Sequence, residues 1–313
     1  MSLWNWVAFH ALILVLLAVD LGMHRGGRNA TSLRSAAIWS ATWIAVGLLF
    51  WWLLHEVRGP DVGAEFLSGY LIEKALSVDN LFVFALIFAS FRVPPELQRR
   101  VLFWGILGAL VMRGIMIGAG VYLVSRLDWI LYLFGAMLVL TGLRMCKRRN
   151  APAAEENAVL RWVKNVIPVT ATYEGSRFFV HGAATPLFLT LVAIETTDVL
   201  FALDSVPAVF AVTTDPFIAY TSNALAILGL RSLYFLLVGG MRRLRHLETG
   251  LAALMIVIGV KMLLADVIHL RPSTSLLLIG LVLGASIGAS LVPSRRARTK
   301  AVAPVAVFLT MLP

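Results

Sequence analysis

Charge is what this chain has least of. Only 14% of its 313 residues are Asp, Glu, Lys or Arg, against 59% hydrophobic, and the mean hydropathy is +0.85. That balance excludes a soluble globular domain and indicates an integral membrane protein. A single cysteine, Cys146, excludes an intramolecular disulfide and a Cys-rich metal or iron–sulfur site. None of the six histidines falls among the intramembrane acids: His10 and His269 are near helix ends, and the others are in loops or at their edges. Any metal is therefore held mainly by oxygen. There is no nucleophile beside a base, no haem or quinone ligand pair and no nucleotide motif, so no enzyme and no permanently bound cofactor is expected. The net charge of +10 does not indicate nucleic acid, because the basic residues are scattered over short loops without stacking aromatics between them.

What the chain has in abundance is apolar runs of helix length. They cover residues 3–23, 35–54, 66–90, 101–124, 129–145, 184–212, 217–238, 247–266 and 272–292, each near the ~20 residues that a bilayer requires. Nine transmembrane helices are predicted, in an all-α polytopic fold. Twenty of the 27 Lys and Arg lie in alternate connections and the tail, with seven between 144 and 177. The opposite side holds only Arg58, Arg126 and Arg271. This asymmetry predicts an outside N-terminus and a cytoplasmic C-terminus. With no basic segment before it and no small-residue cleavage site after it, the first run is expected to be a retained helix. Trp4, Trp6, Trp51, Trp52 and Trp129 fit an aromatic belt at the interfaces.

The expected organisation is two N-terminal helices (1–65), a three-helix unit (66–146), a cytoplasmic loop (147–183), a second three-helix unit (184–267), a ninth helix (268–293) and a tail (294–313). Within the loop, Val159 to Ile167 reads as a short amphipathic helix. The tail from Ala301 is too short and too broken by proline to span. The two units are repeats: aligning Glu73 with Asp198 superposes Asp79 on Asp204 and Asn80 on Ser205. Further along, Arg113 matches Arg231, and Thr141-Gly-Leu-Arg-Met145 matches Ile258-Gly-Val-Lys-Met262. The loop charges give the units opposite orientations, the arrangement of secondary transporters with a midplane site.

Acids in such helices are costly, roughly 2.5–3.5 kcal/mol for an Asp at mid-bilayer. Six occur in the predicted spans (Asp20, Glu73, Asp79, Glu195, Asp198, Asp204) against four bases (Lys74, Arg113, Arg231, Lys261). The two-charge excess suits a divalent cation. Glu195 and Asp198 share a helix face. Asp204 is six residues on, too far to join them unless Pro207 breaks the helix, and a break there is expected. Asn80, Ser205 and Asn223 supply neutral oxygens, so the donor set is hard and oxygen-rich, suited to Mn, Mg or Ca. The alternative reading is polar glue, with the acids paired to Lys74, Arg113 and Arg231 and Asn223 bonding between helices.

Four stretches carry a family resemblance: Gly69 to Asn80 (GYLIEKALSVDN), Glu195 to Ala211 (ETTDVLFALDSVPAVFA), Thr213 to Phe217 (TTDPF) and Thr221 to Arg231 (TSNALAILGLR). They resemble the TerC family, in particular its Alx branch of bacterial inner-membrane proteins. The resemblance implies a multispanning protein of the LysE-like class with inverted repeats, located in the inner membrane and associated with manganese export and metal homeostasis. Branches of the family are linked to tellurite resistance, alkaline response and partnership with membrane-protein insertion machinery. The family's intramembrane acids map onto Glu73, Asp79, Glu195, Asp198 and Asp204, beside Asn80, Ser205 and Asn223. The resulting expectation is an exporter of a divalent cation, most readily Mn2+, held by Asp79 and Asp204 with help from Glu73, Glu195 and Asp198, and coupled to proton antiport. The competing expectation is a membrane partner of protein insertion or metallation, or a metal or pH sensor.

Overall fold

The computed structural model describes residues 3–23, 33–127, 129–147, 158–240, 247–265, 267 and 271–291. Arg25, Arg28, Arg148, Arg149, Arg242, Arg243, Arg245 and the expected cytoplasmic tail lie outside the described residues. The described chain forms eleven helices: α1 (Leu3–Met23), α2 (Leu33–Arg58), α3 (Pro60–Ser90), α4 (Pro95–Arg126), α5 (Ile130–Lys147), α6 (Ala158–Val166), α7 (Pro186–Phe210), α8 (Pro216–Ile227), α9 (Leu230–Gly240), α10 (Leu247–Leu263) and α11 (Pro272–Leu291). The only strands among the described residues are Phe179–Val180 and Ala183–Ala184, a two-residue hairpin just before α7.

Each expected apolar run is mostly helical over its described residues. The seventh run is divided into α8 and α9, which bend by 43° at Leu228 and Gly229. Five helices (α1, α2, α4, α7 and α11) are long and apolar enough to cross a bilayer, and the bent pair makes a sixth. The remaining three of the nine expected spans do not meet that measure. α5 and α10 are apolar but short, and α3, at 31 residues, carries Asp61, Glu65, Glu73, Lys74 and Asp79. α3 nevertheless lies in the middle of the bundle, packed against α2, α7, α8 and α11. Glu65, Glu73 and Lys74 are met by protein groups, which is what allows so charged a helix inside an apolar fold.

Several helices begin earlier than hydropathy indicates because proline marks their first turn. Pro60, Pro95, Pro186, Pro216 and Pro272 all stand at helix starts, where a missing N–H costs nothing and φ is already helical. α8 is also capped by Asp215, whose carboxylate accepts from the nitrogens of Phe217 (2.8 Å) and Ile218 (3.3 Å). In contrast, Pro207 does not break α7, which stays helical from Pro186 to Phe210. The lost hydrogen bond is outweighed by burial of the turns around it, with Ala202, Ser205, Val206 and Ala208 to Phe210 all inside the core. The amphipathic helix expected near 159–167 is α6: Leu160 and Val163 are buried, while Trp162, Val166 and the basic Arg161 and Lys164 face outward.

The inverted repeat is visible in atomic contacts between α5 and α10. A methyl group placed on Gly142 would stand 2.7 Å from the Ala252 carbonyl oxygen and 3.1 Å from the Ile256 nitrogen. One placed on Gly259 would stand 2.7 Å from the Gly135 oxygen and 2.9 Å from the Val139 nitrogen. The second set is the first displaced by 117 positions (142 to 259, 135 to 252, 139 to 256), the register of the repeat. Low numbers on α5 meet high numbers on α10, so the two helices are antiparallel. A rotation that exchanges antiparallel helices has its axis across them, and in a membrane that axis lies in the bilayer plane. The other helices obey the same exchange: α3 packs on α8 as α7 packs on α4, and α3 also packs on α7.

Because each of these glycines faces backbone that cannot yield, Gly142→Ala and Gly259→Ala are expected to destabilise the protein alike, by about 1–3 kcal/mol each, the usual cost of overpacking. Thermal unfolding in detergent measures this. A marked cost at one position and none at the other would contradict the two-fold packing.

Candidate functional site

The exchange axis passes the point where α3, α4, α7 and α8 meet, and a charged group sits there. Glu73 on α3 is fully buried and Arg113 on α4 is 2% exposed. Arg113 Nη1 donates to Glu73 Oε2, to Ser205 Oγ on α7 (3.0 Å) and to Asn223 Oδ1 on α8 (3.1 Å), while Nη2 lies 3.8 Å from Asp198 Oδ1 on α7. Ser77, one turn after Glu73, donates to Glu73 Oε1 at 2.9 Å. Asn223 is oriented in turn by its amide, which donates to the Ala219 carbonyl at 2.9 Å. Both Glu73 oxygens are therefore satisfied. Asp198 is less well provided for: its Oδ2 is buried with no hydrogen-bond partner among the described residues.

A guanidinium this deep must be paired, since an isolated buried charge costs several kcal/mol. Four helices supply the pairing, so the centre ties the two repeats together. One cation faces two carboxylates, which leaves one negative charge when both are ionised. The side-chain atoms that face the guanidinium are all oxygens.

The structure separates the acids that were expected to share one ion. α3 and α7 are antiparallel: Gly69 approaches Val209, while Leu81 and Phe84 lie with Ile194 and Asp198. Asp79 and Asp204 each follow the central acid of their own helix by six residues, about 9 Å of helix. They therefore lie on opposite sides of the centre along the membrane normal. Asp204 is half-buried and accepts from Thr141 Oγ1 on α5 at 3.0 Å. Asp79 is half-buried on α3, and Asn80 beside it is buried. Glu195 packs against the backbone of Gly108, where an added methyl would overlap its carboxylate. Among the described residues no group of three or more His, Cys, Asp and Glu is close enough to hold a metal ion.

Two of the expected supporting bases are also elsewhere. Arg231 pairs with Asp20 of α1 at 2.9 Å, away from the central acids. Lys74 turns to the end of α8, donating to the carbonyls of Ala226 (2.9 Å) and Leu228 (3.3 Å). There it neutralises the negative end of a helix. Lys261 does the same for α7, donating to the Ala211 carbonyl at 2.9 Å.

Sequence reasoning missed Ser77, Thr141 and a second polar group one level away, where Glu65 Oε2 accepts from Thr213 Oγ1 at 2.7 Å. The proline at position 60 was the available signal for Glu65, since it starts α3 early enough to put this acid on the buried helix. If pairing is what stabilises the centre, Arg113→Leu should cost about 3–5 kcal/mol by leaving two carboxylates uncompensated. Adding Glu73→Gln and Asp198→Asn to that variant should restore most of the loss in a detergent melt. A triple variant no more stable than Arg113→Leu would contradict this.

The comparison with known proteins agrees with this architecture. The profile described as "Integral membrane protein TerC family" matches residues 58–298. The chain is 46% identical over 303 residues to STKORF319, a membrane protein of Myxococcus xanthus, with 94% of each chain covered. It is 46% identical over 293 residues to Alx of Salmonella typhi, covering 89% of this chain and 90% of the relative, and 47% identical over 286 residues to Alx of Photorhabdus laumondii, covering 87% and 89%. Those two relatives carry names that describe a membrane-bound redox modulator. No solved structure matches the chain. The chain belongs to the TerC family of integral membrane proteins.

Proposed function

We propose that the protein is a secondary transporter that exports a divalent metal cation, with Mn2+ the first candidate substrate, across the bacterial inner membrane by proton antiport. In this reading the N-terminus is outside and the C-terminus cytoplasmic. The observation that carries it is the Glu73–Asp198 pair, buried where two inverted three-helix units meet. Carboxylates with Ser205, Asn223 and Asn80 make a hard oxygen set of the kind that Mn2+, Mg2+ and Ca2+ prefer. In the state described, the Arg113 guanidinium occupies the place of the cation, and the cargo enters as Arg113 withdraws. Asp79 and Asp204, one on either side, attract the ion during its approach from each face. Glu195 adds negative charge on the Asp79 side.

A second reading has one observation in its favour. Residues 158–185 are folded against the bundle: Tyr173 donates to the Phe91 carbonyl at 2.8 Å and Arg100 to Ser176 at 3.0 Å. They present Trp162, Val166 and Phe179 outward, as a docking factor for membrane-insertion or metallation machinery would. The redox description borne by the relatives has one thiol to act through here, exposed Cys146. One thiol closes no disulfide within the chain.

Proteoliposomes carrying the purified protein should move Mn2+ under an imposed pH gradient. Glu73→Gln and Asp198→Asn should each cut that flux at least about tenfold, the rate equivalent of ~1.4 kcal/mol, while remaining folded. Wild-type liposomes that pass no Mn2+ under a pH gradient or a voltage would sink the carrier reading. Retention of flux after trimming Ala158 to Phe179, with loss of a cellular phenotype, would favour the docking role.

A further inference from the structure

Arg113 and Arg231 occupy the same position in the two repeats but have different fates. α4 is continuous from Pro95 to Arg126, so Gly105 and Arg113, eight residues apart, both face α7: a methyl on Gly105 would stand 3.3 Å from Ile194, and Arg113 reaches the central acids. Their repeat mates are Asn223 and Arg231. Asn223 reaches the centre, but Arg231 has swung to Asp20 on α1. The cause lies between them. Gly229 adopts a φ of +81°, in the left-handed region that glycine tolerates, and the helix bends by 43° there. Lys74 holds the broken end by donating to the carbonyls of Ala226 and Leu228.

The two-fold exchange states what Arg231 would meet if that helix were straight. It carries Glu73 onto Asp198 and Asp198 onto Glu73, so one carboxylate pair serves either arginine. Ser205, which accepts from Arg113, maps onto Asn80, which is buried. On that side of the centre a space of about 10 Å3 has a mostly apolar lining that includes Gly105, Leu230 and, as its one charged residue, Asp198, whose Oδ2 is buried without a partner among the described residues. The space holds roughly one water, so a guanidinium enters only as the helices rearrange.

We propose that Arg231 is the alternate counter-ion of the Glu73–Asp198 pair: in the oppositely facing state α8 and α9 straighten at Gly229, and Arg231 leaves Asp20 for Asp198, Glu73 and Asn80 as Arg113 withdraws. The inference rests on the carrier reading, because it supplies the second of two exchanged states. Asp20 is then the resting partner of the idle arginine, and Lys74 is the latch of the present state.

The test is a distance measurement between spin labels at Val15 on α1 and Val238 on α9, both exposed, in a Cys146→Ser background in lipid nanodiscs. Releasing the 43° bend over the nine residues from Gly229 to Val238 moves the second label by up to about 10 Å, at ~1.5 Å per residue. Wild type should show two distances. Asp20→Asn and Lys74→Met, which loosen the present state by independent routes, should each raise the second population at least about fivefold, the effect of losing one net hydrogen bond. A single unshifted distance in wild type and both folded variants would overturn the proposal. Mn2+ flux on the same preparations separates the two ideas. Flux with one distance leaves the carrier reading and removes the swing of Arg231. Two distances without flux support the swing and remove the carrier.

Discussion

A guanidinium without water must find its partners inside the protein, and Arg113 finds them on three other helices at once. Its bonds to Glu73, Ser205 and Asn223 and its approach to Asp198 join α3, α7 and α8 to its own helix α4. In a medium where each unpaired polar group costs several kcal/mol, this sets which faces of those helices turn inward. Glycines admit the charged chains and the neighbouring backbones: Gly108 gives room to Glu195, and Gly142 and Gly259 let α5 and α10 close on each other. The apolar core then fills the space left by a polar arrangement.

Two-fold exchange gives the centre its character. Glu73 and Asp198 are the same position in the two units, so the carboxylates belong to both halves of the fold. Asp79 and Asp204 are likewise one position, but antiparallel helices send them to opposite sides. The symmetry fails at the break between α8 and α9, and there the second arginine is drawn off to α1. Where the two units match, as at Glu73 and Asp198, the same exchange describes a second arrangement in which α8 and α9 are straight, and the proposed transport rests on it. The proposed carrier would expose its midplane site alternately by exchanging these two arrangements.

Much of this architecture was legible because a bilayer imposes simple demands. Runs near twenty apolar residues had to be helices, and the acids at 73 and 198 were named among the site residues, although the leading place was expected for Asp79 and Asp204. Helix starts were less legible, since the polar first turns of α3 and α4 hide from hydropathy, although Pro60 and Pro95 marked them. Pro207 misled because a local penalty of about 3 kcal/mol is small beside the burial of its neighbours. The true break was signalled only by Gly229, one glycine among 24. The error about Asp79 and Asp204 has a different source: opposite helix directions already implied that residues six further on diverge. Nothing in the sequence pairs Arg231 with Asp20, a contact 211 positions apart that only packing reveals.

The proposed carrier requires Arg113 and the cation to compete for the same two carboxylates. Titration of Mn2+ into the purified protein, followed by the loss of the free-ion electron paramagnetic resonance signal, tests it most directly. Saturable binding should disappear in Glu73→Gln and tighten at least about tenfold in Arg113→Gln, since removing the competitor is worth upward of ~1.4 kcal/mol. Saturable binding that is unchanged in both variants would place the ion elsewhere and contradict the claim.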